Sequence, residues 1–146
     1  MIARRDLDVA GDFAIGHYTH EKNPVTTRAG LTTLEIIREE GLVARSATLG
    51  ARALARLGES LAHCPIAGDI RGRGLMFGVE IVADRDSRTP DPDRAERIYY
   101  RCLAEGLSFK ISAGNVLTLS PPLTIAEGDL DRALAIVEGA VMAEAG

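Results

Sequence analysis

Lysine is nearly missing from this chain. Its 146 residues hold two, Lys22 and Lys110, against fifteen arginines, so any chemistry that needs an ε-amino group has two candidates. Tryptophan is absent, and the two cysteines, Cys64 and Cys102, make neither a disulfide framework nor a metal-ligand spacing. The net charge is −4 and no basic patch stands out, which argues against a nucleic-acid partner. No apolar run reaches the length of a bilayer span, so no membrane partner is expected. The opening stretch "MIARRDLDVAGDF" turns charged at Arg4, unlike a secretory signal, and the expected setting is the cytoplasm.

What is present is an ordinary globular composition. The chain is 46% hydrophobic with a mean hydropathy of +0.03, enough to bury one core without staples. Asn23-Pro24 reads as a helix start, since Asn caps free N–H groups and Pro suits the first helical position. A helix is expected over 24–40 with Leu31, Leu34 and Ile37 on one face and Gly41 as its stop. A second is expected over 42–62, with Ala47, Ala51, Leu54, Leu57 and Leu61 inward and Pro65 beyond it. Within "AGDIRGRGLMFGVEIV", residues 67–82, Leu75, Phe77, Val79 and Ile81 alternate as a strand does. Gly72 and Gly74 then permit a bend or bulge, and Gly78 a close approach. The three glycines are mis-spaced for a dinucleotide site and precede a strand, where phosphate needs a helix N-terminus.

After the charged loop "ADRDSRTPDPD" comes a helix over 93–105, with Ala95, Ile98, Tyr99, Cys102 and Leu103 on one face; Cys102 is expected in the core. "LSFKIS" and "VLTLS" around "AGN" read as a hairpin, strands 107–112 and 116–120, halted by Pro121-Pro122. Thr124 and Glu127 have capping-box spacing ahead of a last helix with Leu130, Leu134, Val137 and Val141 inward. The expected fold is α+β, a small, largely antiparallel sheet with helices on one face, parts of which the helical connection allows to be parallel.

Few residues carry obvious chemistry. The polar stretch "GHYTHEKNPV" is a loop feeding a helix, either a solvated linker or a binding loop. Its His17 and His20 lie three apart with no third ligand, so no metal site is expected. His63 at a helix end suits the dipole there. Arg71 and Arg73 bracket Gly72 with the chemistry to hold a carboxylate or phosphate, or to pair with acids such as Asp69. Lys110 stands on a strand between Phe109 and Ile111.

Taken in register, "GHYTHEKNPV", "AGDIRGRGLMFGVEIV" and "NVLTLSPPLT" resemble the C-terminal part of class III aminotransferases, the ω- and 4-aminobutyrate-type enzymes and their relative dialkylglycine decarboxylase. The resemblance covers nearly the whole chain. It implies the C-terminal small domain of a fold type I pyridoxal phosphate enzyme, which transfers an amino group from an amine to a 2-oxo acid as a homodimer whose subunits share each site. Residues 1–22 would then be a remnant of the large cofactor-binding domain, and 23–146 the small domain. Thr19, five residues before Pro24, matches the threonine that reaches the phosphate of the neighbouring subunit's cofactor.

The resemblance also exposes departures. The lysine that holds the cofactor and the aspartate on its ring nitrogen belong to the large domain, and neither Lys22 nor Lys110 occupies that lysine's position. The chain therefore reads as a C-terminal fragment with no catalytic residue of its own, expected to bind no cofactor alone. Some members carry an arginine for the substrate carboxylate where this chain has Thr118, which leaves Arg73 and Lys110 as candidate substrate cations. The competing reading is a stand-alone interaction or regulatory domain that keeps the fold without the site.

Overall fold

The computed structural model describes residues 23–146. The chain divides into two compact units, 1–39 and 40–146. The described part of the first is one helix, α1, Pro24–Glu39. It starts as the sequence predicts. The Asn23 side chain accepts the Val25 N–H at 2.8 Å, and its carbonyl accepts the Thr27 N–H at 3.1 Å. None of its residues is buried, and Leu31, Leu34 and Ile36 are exposed.

The second unit holds α2 (Leu42–Ser60), β1 (Ala67–Arg73), β2 (Met76–Ile81), α3 (Pro92–Ala104), β3 (Lys110–Ser112), β4 (Val116–Leu119) and α4 (Glu127–Ala143). The strands form one sheet in the order β1-β2-β4-β3, and every hydrogen-bonded pair is antiparallel. This is the expected α+β architecture, with one correction. β2 and β3, joined through α3, do run parallel, but β4 lies between them, so no parallel pair forms. Phe77, Val79 and Ile81 of β2 and Leu117 and Leu119 of β4 point to the helices. There they meet Leu49, Ala53 and Leu57 of α2, Ile98 and Cys102 of α3, and Leu134 and Val141 of α4 in one core.

The segment read as a bend followed by a strand is a complete hairpin. Arg73 pairs with Met76, and Gly74 makes the turn at φ +56°, a left-handed conformation that favours glycine. The irregularity in β1 lies between Ala67 and Asp69, ahead of the expected glycines. Gly78 does make the expected close approach, since a Cβ there would stand 2.9 Å from the Leu117 carbonyl oxygen. The hairpin turn docks on α2 with no room to spare. A Cβ on Gly50 would stand 2.0 Å from the Gly74 carbonyl oxygen, and the Ser46 hydroxyl oxygen accepts the Leu75 N–H at 3.0 Å. That contact rotates α2 relative to expectation: Leu49, Gly50 and Ala53 are buried, whereas Ala47 and Ala51 face solvent.

The expected capping box is also absent. α4 begins at Glu127 after Ala126, with no side-chain cap, and Glu127 turns instead to Arg52 of α2 at 2.9 Å. Three arginines on one face of α2 bind the chain beyond β4. Arg45 donates to the carbonyls of Leu123 at 2.6 Å and Ile125 at 2.5 Å. Arg52 also reaches Asp131 at 3.1 Å, and Arg56 grips Glu138 through two bonds of 2.9 and 2.7 Å. At the far end of α4, Arg97 and Arg101 of α3 each hold a Glu144 oxygen at 2.8 Å.

Gly50→Ala is expected to destabilise the fold by about 3 kcal/mol, because its methyl meets rigid backbone with no side chain to yield. Ser46→Ala, which only removes an acceptor, should cost about 1 kcal/mol. Denaturant midpoints measure both, and a Gly50→Ala protein as stable as wild type contradicts the docking described.

The hydrogen bonds from Arg97, and then from Arg101, hold the Glu144 carboxyl below the usual glutamate value. A depressed folded value means stability present above the unfolded pKa, about 4.3 for glutamate, and lost as pH falls through the folded value. The stability gap between wild type and Glu144→Gln should therefore be full at neutral pH and close in acid. Urea titrations at a series of pH values read this, and a gap independent of pH refutes it.

Candidate functional site

The outer face of the sheet, away from the helices, carries the polar residues of every strand. Register sets Arg71, Gly78, Thr118 and Lys110 in one row across β1, β2, β4 and β3. The row owes its alignment to two local devices. Ala113 and Gly114 turn the β3–β4 hairpin with φ of +52° and +84°, which puts Lys110 opposite Thr118. Asn115, the one buried polar residue among those described, donates from Nδ2 to the Ile81 carbonyl at 2.9 Å and accepts the Ile81 N–H at 2.8 Å through its own carbonyl. The hairpin is thereby pinned to β2.

A cleft of about 640 Å³ opens beside this row. Lys110, Ser112 and Thr118 line it together with Met76, the β4 end and the 121–122 prolines, and Leu130 and Ala133 of α4 reach it as well. Its wall at Ile125 belongs to the loop that Arg45 holds. Phe109, also on the wall, packs edge-on against Tyr99 of α3 with ring centroids 5.4 Å apart. Within the cleft, Thr118 Oγ1 donates to Ser112 Oγ at 2.9 Å. Lys110 is exposed and has no ion-pair or hydrogen-bond partner among the described residues.

The structure separates the two predicted cations. Lys110 lines the cleft with Thr118. Arg73 sits on the opposite edge strand, exposed, paired in register with the cleft residue Met76 but not itself on the wall. Arg71 is taken up by acids, as one of the two readings expected: it donates to Asp69 at 2.8 Å and lies 3.7 Å from Glu80. The Asp69 hydrogen bond leads in raising the Arg71 pKa further above its usual value. Thr19, with Lys22 and the two histidines of the polar loop, lies outside the described residues. Sequence reading passed over Ser112, although its place two residues after Lys110 on a strand puts both on one face. It also passed over Asn115 as a structural anchor.

The remaining reactive groups are quiet. Cys102 is fully buried, and burial pushes its thiol up to about 11, so it stays protonated. No group of three metal-ligating side chains occurs among the described residues, and none of their helices is long and apolar enough to cross a membrane. A site for pyridoxal phosphate needs an amine, a carboxylate for the ring nitrogen and donors for the phosphate. Among the described residues no carboxylate lines the cleft beside Lys110, and the acids of the same sheet face, Asp69 and Glu80, turn to Arg71. The described residues do not by themselves assemble such a site.

The family model "Aminotransferase class-III" matches residues 5–141. The (R)-1-hydroxy-2-aminoethylphosphonate ammonia-lyase of Vibrio splendidus is 43% identical over 141 residues, which are 97% of this chain and 29% of that protein. The isoleucine 2-epimerase of Lentilactobacillus buchneri is 38% identical over 98% of this chain and 32% of its own. Among solved structures, a Bacillus anthracis aminotransferase superposes with a TM-score of 0.80 at 34% identity, covering 88% of this chain and 30% of that one. The chain thus spans about 30% of the length of the relatives it matches. Class III aminotransferases use pyridoxal phosphate. By the family model that matches it nearly end to end, and by the fold that agrees, this chain belongs to the class III aminotransferases and corresponds to one portion of such an enzyme.

Proposed function

We propose that this chain forms the substrate-facing small domain of a pyridoxal phosphate enzyme that transfers an amino group from an amine to a 2-oxo acid. The observation that carries this reading is the cleft. Its only charged wall residue among those described, Lys110, stands opposite Thr118 in a chain of this family. Bound pyridoxal phosphate supplies the electron sink for chemistry at the amine-bearing carbon, while the protein binds and orients the substrate. The lysine that holds it belongs to the large domain, of which residues 1–22 are part, and the 146-residue chain alone retains no cofactor. Lys110 attracts the substrate's anionic group, with Arg73 a second cation at the rim beyond Met76. Thr19 reaches the cofactor phosphate of the partner subunit in a cytoplasmic homodimer.

The identity to an ammonia-lyase favours a second reading, elimination of ammonia in place of transfer. One assay of the full-length enzyme separates the two. With amine donor and pyruvate, transfer yields alanine and no free ammonia, whereas elimination yields ammonia without consuming pyruvate. Formation of neither product from any amine refutes both.

Two substitutions in the full-length enzyme test the residue roles. Thr118→Arg adds a planar fork that binds a carboxylate through two parallel hydrogen bonds, and should improve use of simple α-amino acids such as alanine. An unchanged donor profile in a folded protein means that Thr118 does not face the substrate. Thr19→Ala removes one hydroxyl from an anion, worth about 1.5–3 kcal/mol, so cofactor affinity should fall about tenfold to a hundredfold with stability unchanged. Equilibrium dialysis measures it, and unaltered affinity with lowered stability assigns Thr19 to folding instead.

A further inference from the structure

Among the described residues the wall of the cleft carries one charge, the Lys110 ammonium, and four hydroxyls, those of Ser108, Ser112, Thr118 and Ser120. No carboxylate, amide or guanidinium of the described residues lines it, and the rest of their share of the wall is aliphatic, aromatic or proline. A planar carboxylate is matched best by a guanidinium fork, which offers two parallel donors in one plane. An ammonium is a point charge with three rotatable donors, and hydroxyls on different strands approach a common centre from different directions. Such a set suits an anion with oxygens pointing three ways. The Ser112 and Thr118 hydroxyls lie 2.9 Å apart, so the two are paired on the cleft wall and one of their hydrogens can turn to a ligand. The absence of acids from the wall leaves the ammonium unneutralised there. Lys110 is exposed, so it reaches a ligand without first breaking a buried ion pair.

We infer that the cleft is a subsite for a tetrahedral oxyanion, so that the amine substrate carries a phosphonate, sulfonate or phosphate head group held by Lys110, Ser112 and Thr118. This rests on the proposal that the cleft faces the substrate. The paired hydroxyls of Thr118 and Ser112 orient the head group, and Lys110 supplies the attraction.

The direct test is an amide NMR titration of the 146-residue chain with methanesulfonate, methylphosphonate and acetate. Methanesulfonate and acetate have equal charge, so their comparison isolates geometry. Methanesulfonate and methylphosphonate should shift the Lys110, Ser112 and Thr118 amides and bind about fivefold or more tightly than acetate, since each added charge-assisted bond is worth at least that factor. Ser112→Ala should erase the preference while keeping the fold. Lys110→Arg, which replaces the point charge by a fork on an exposed strand, should move it toward acetate. Acetate binding as well as or better than methanesulfonate overturns the inference, and so does the lack of any localised shift.

A second arm separates this inference from the proposed function. In the full-length enzyme, β-alanine, taurine and 2-aminoethylphosphonate present the three head groups on the same two-carbon amine. Turnover of β-alanine alone leaves amino transfer standing and overturns the tetrahedral subsite. Turnover of neither these three nor any other amine, with methanesulfonate still preferred by the 146-residue chain, overturns amino transfer and leaves the subsite intact.

Discussion

Arg45, Arg52 and Arg56 lie seven and four residues apart, which sets all three on one face of α2, where they bind the loop and the helix that follow β4. The guanidinium of Arg45 takes two backbone carbonyls of the loop between β4 and α4, a segment with no ladder of its own. Unpaired carbonyls in such a loop would cost as much as lost hydrogen bonds, so Arg45 adds to the turn bond that the Ile125 N–H makes to the Pro122 carbonyl at 3.0 Å. Arg52 and Arg56 then fix α4 through Glu127, Asp131 and Glu138. Glu138 is the least exposed of these acids, and its bidentate bond raises the Arg56 pKa above its usual value. The part of the cleft wall that follows β4, at Ile125, Leu130 and Ala133, is thereby tied to α2 through side chains.

The chemistry of the cleft follows from which strand faces which. On β4 the odd residues Leu117 and Leu119 enter the core, so Thr118 must look outward. On β1 and β2 the outward acids Asp69 and Glu80 meet Arg71, and that corner of the sheet is electrostatically closed. At the other edge β3 contributes Lys110 with hydroxyls around it and no acid. Among the described residues the sheet thus keeps its charge pairs around Arg71 at one edge and Lys110, away from any acid, at the other, while Arg73 stays exposed at the end of β1. The same separation explains why Arg71 and Lys110, both outward cations in one row, have different uses.

Much of this was legible in the sequence, and the failures have physical causes. The period-two run Leu75 to Ile81 and the hairpin around Gly114 declared themselves because each strand has one buried face. β1 did not, since "AGDIRGR" offers only Ala67 and the half-buried Ile70 as apolar residues and otherwise reads as charge and glycine. The face of α2 was misphased because its many alanines fit several stripes. What decides between them is a backbone contact of Gly50 with Gly74, and glycine leaves no hydrophobic signal. Thr124 and Glu127 had the spacing of a cap, yet local spacing carries no information about Arg52, 75 residues earlier. For the site, strand assignment alone placed Lys110 and Thr118. Their opposition, and the inclusion of Ser112, required the register that the turn imposes.

The position of β4 has a consequence for the order in which the molecule is made. β2 and β3 flank a slot that is filled by a strand later in the chain than either, so the two hairpins meet only after residue 119 has been synthesised. Until then the inner edge of β2 presents unpaired N–H and C=O groups beside Phe77, Val79 and Ile81, a surface that any other extended segment can satisfy. The pairing that closes the sheet is also the one that joins distant stretches of chain, 77–80 with 116–119, and such contacts form slowly. A nascent chain stalled inside α3 or β3 is therefore a sticky object. The proline pair just beyond β4 ends the strand soon after the slot has been filled.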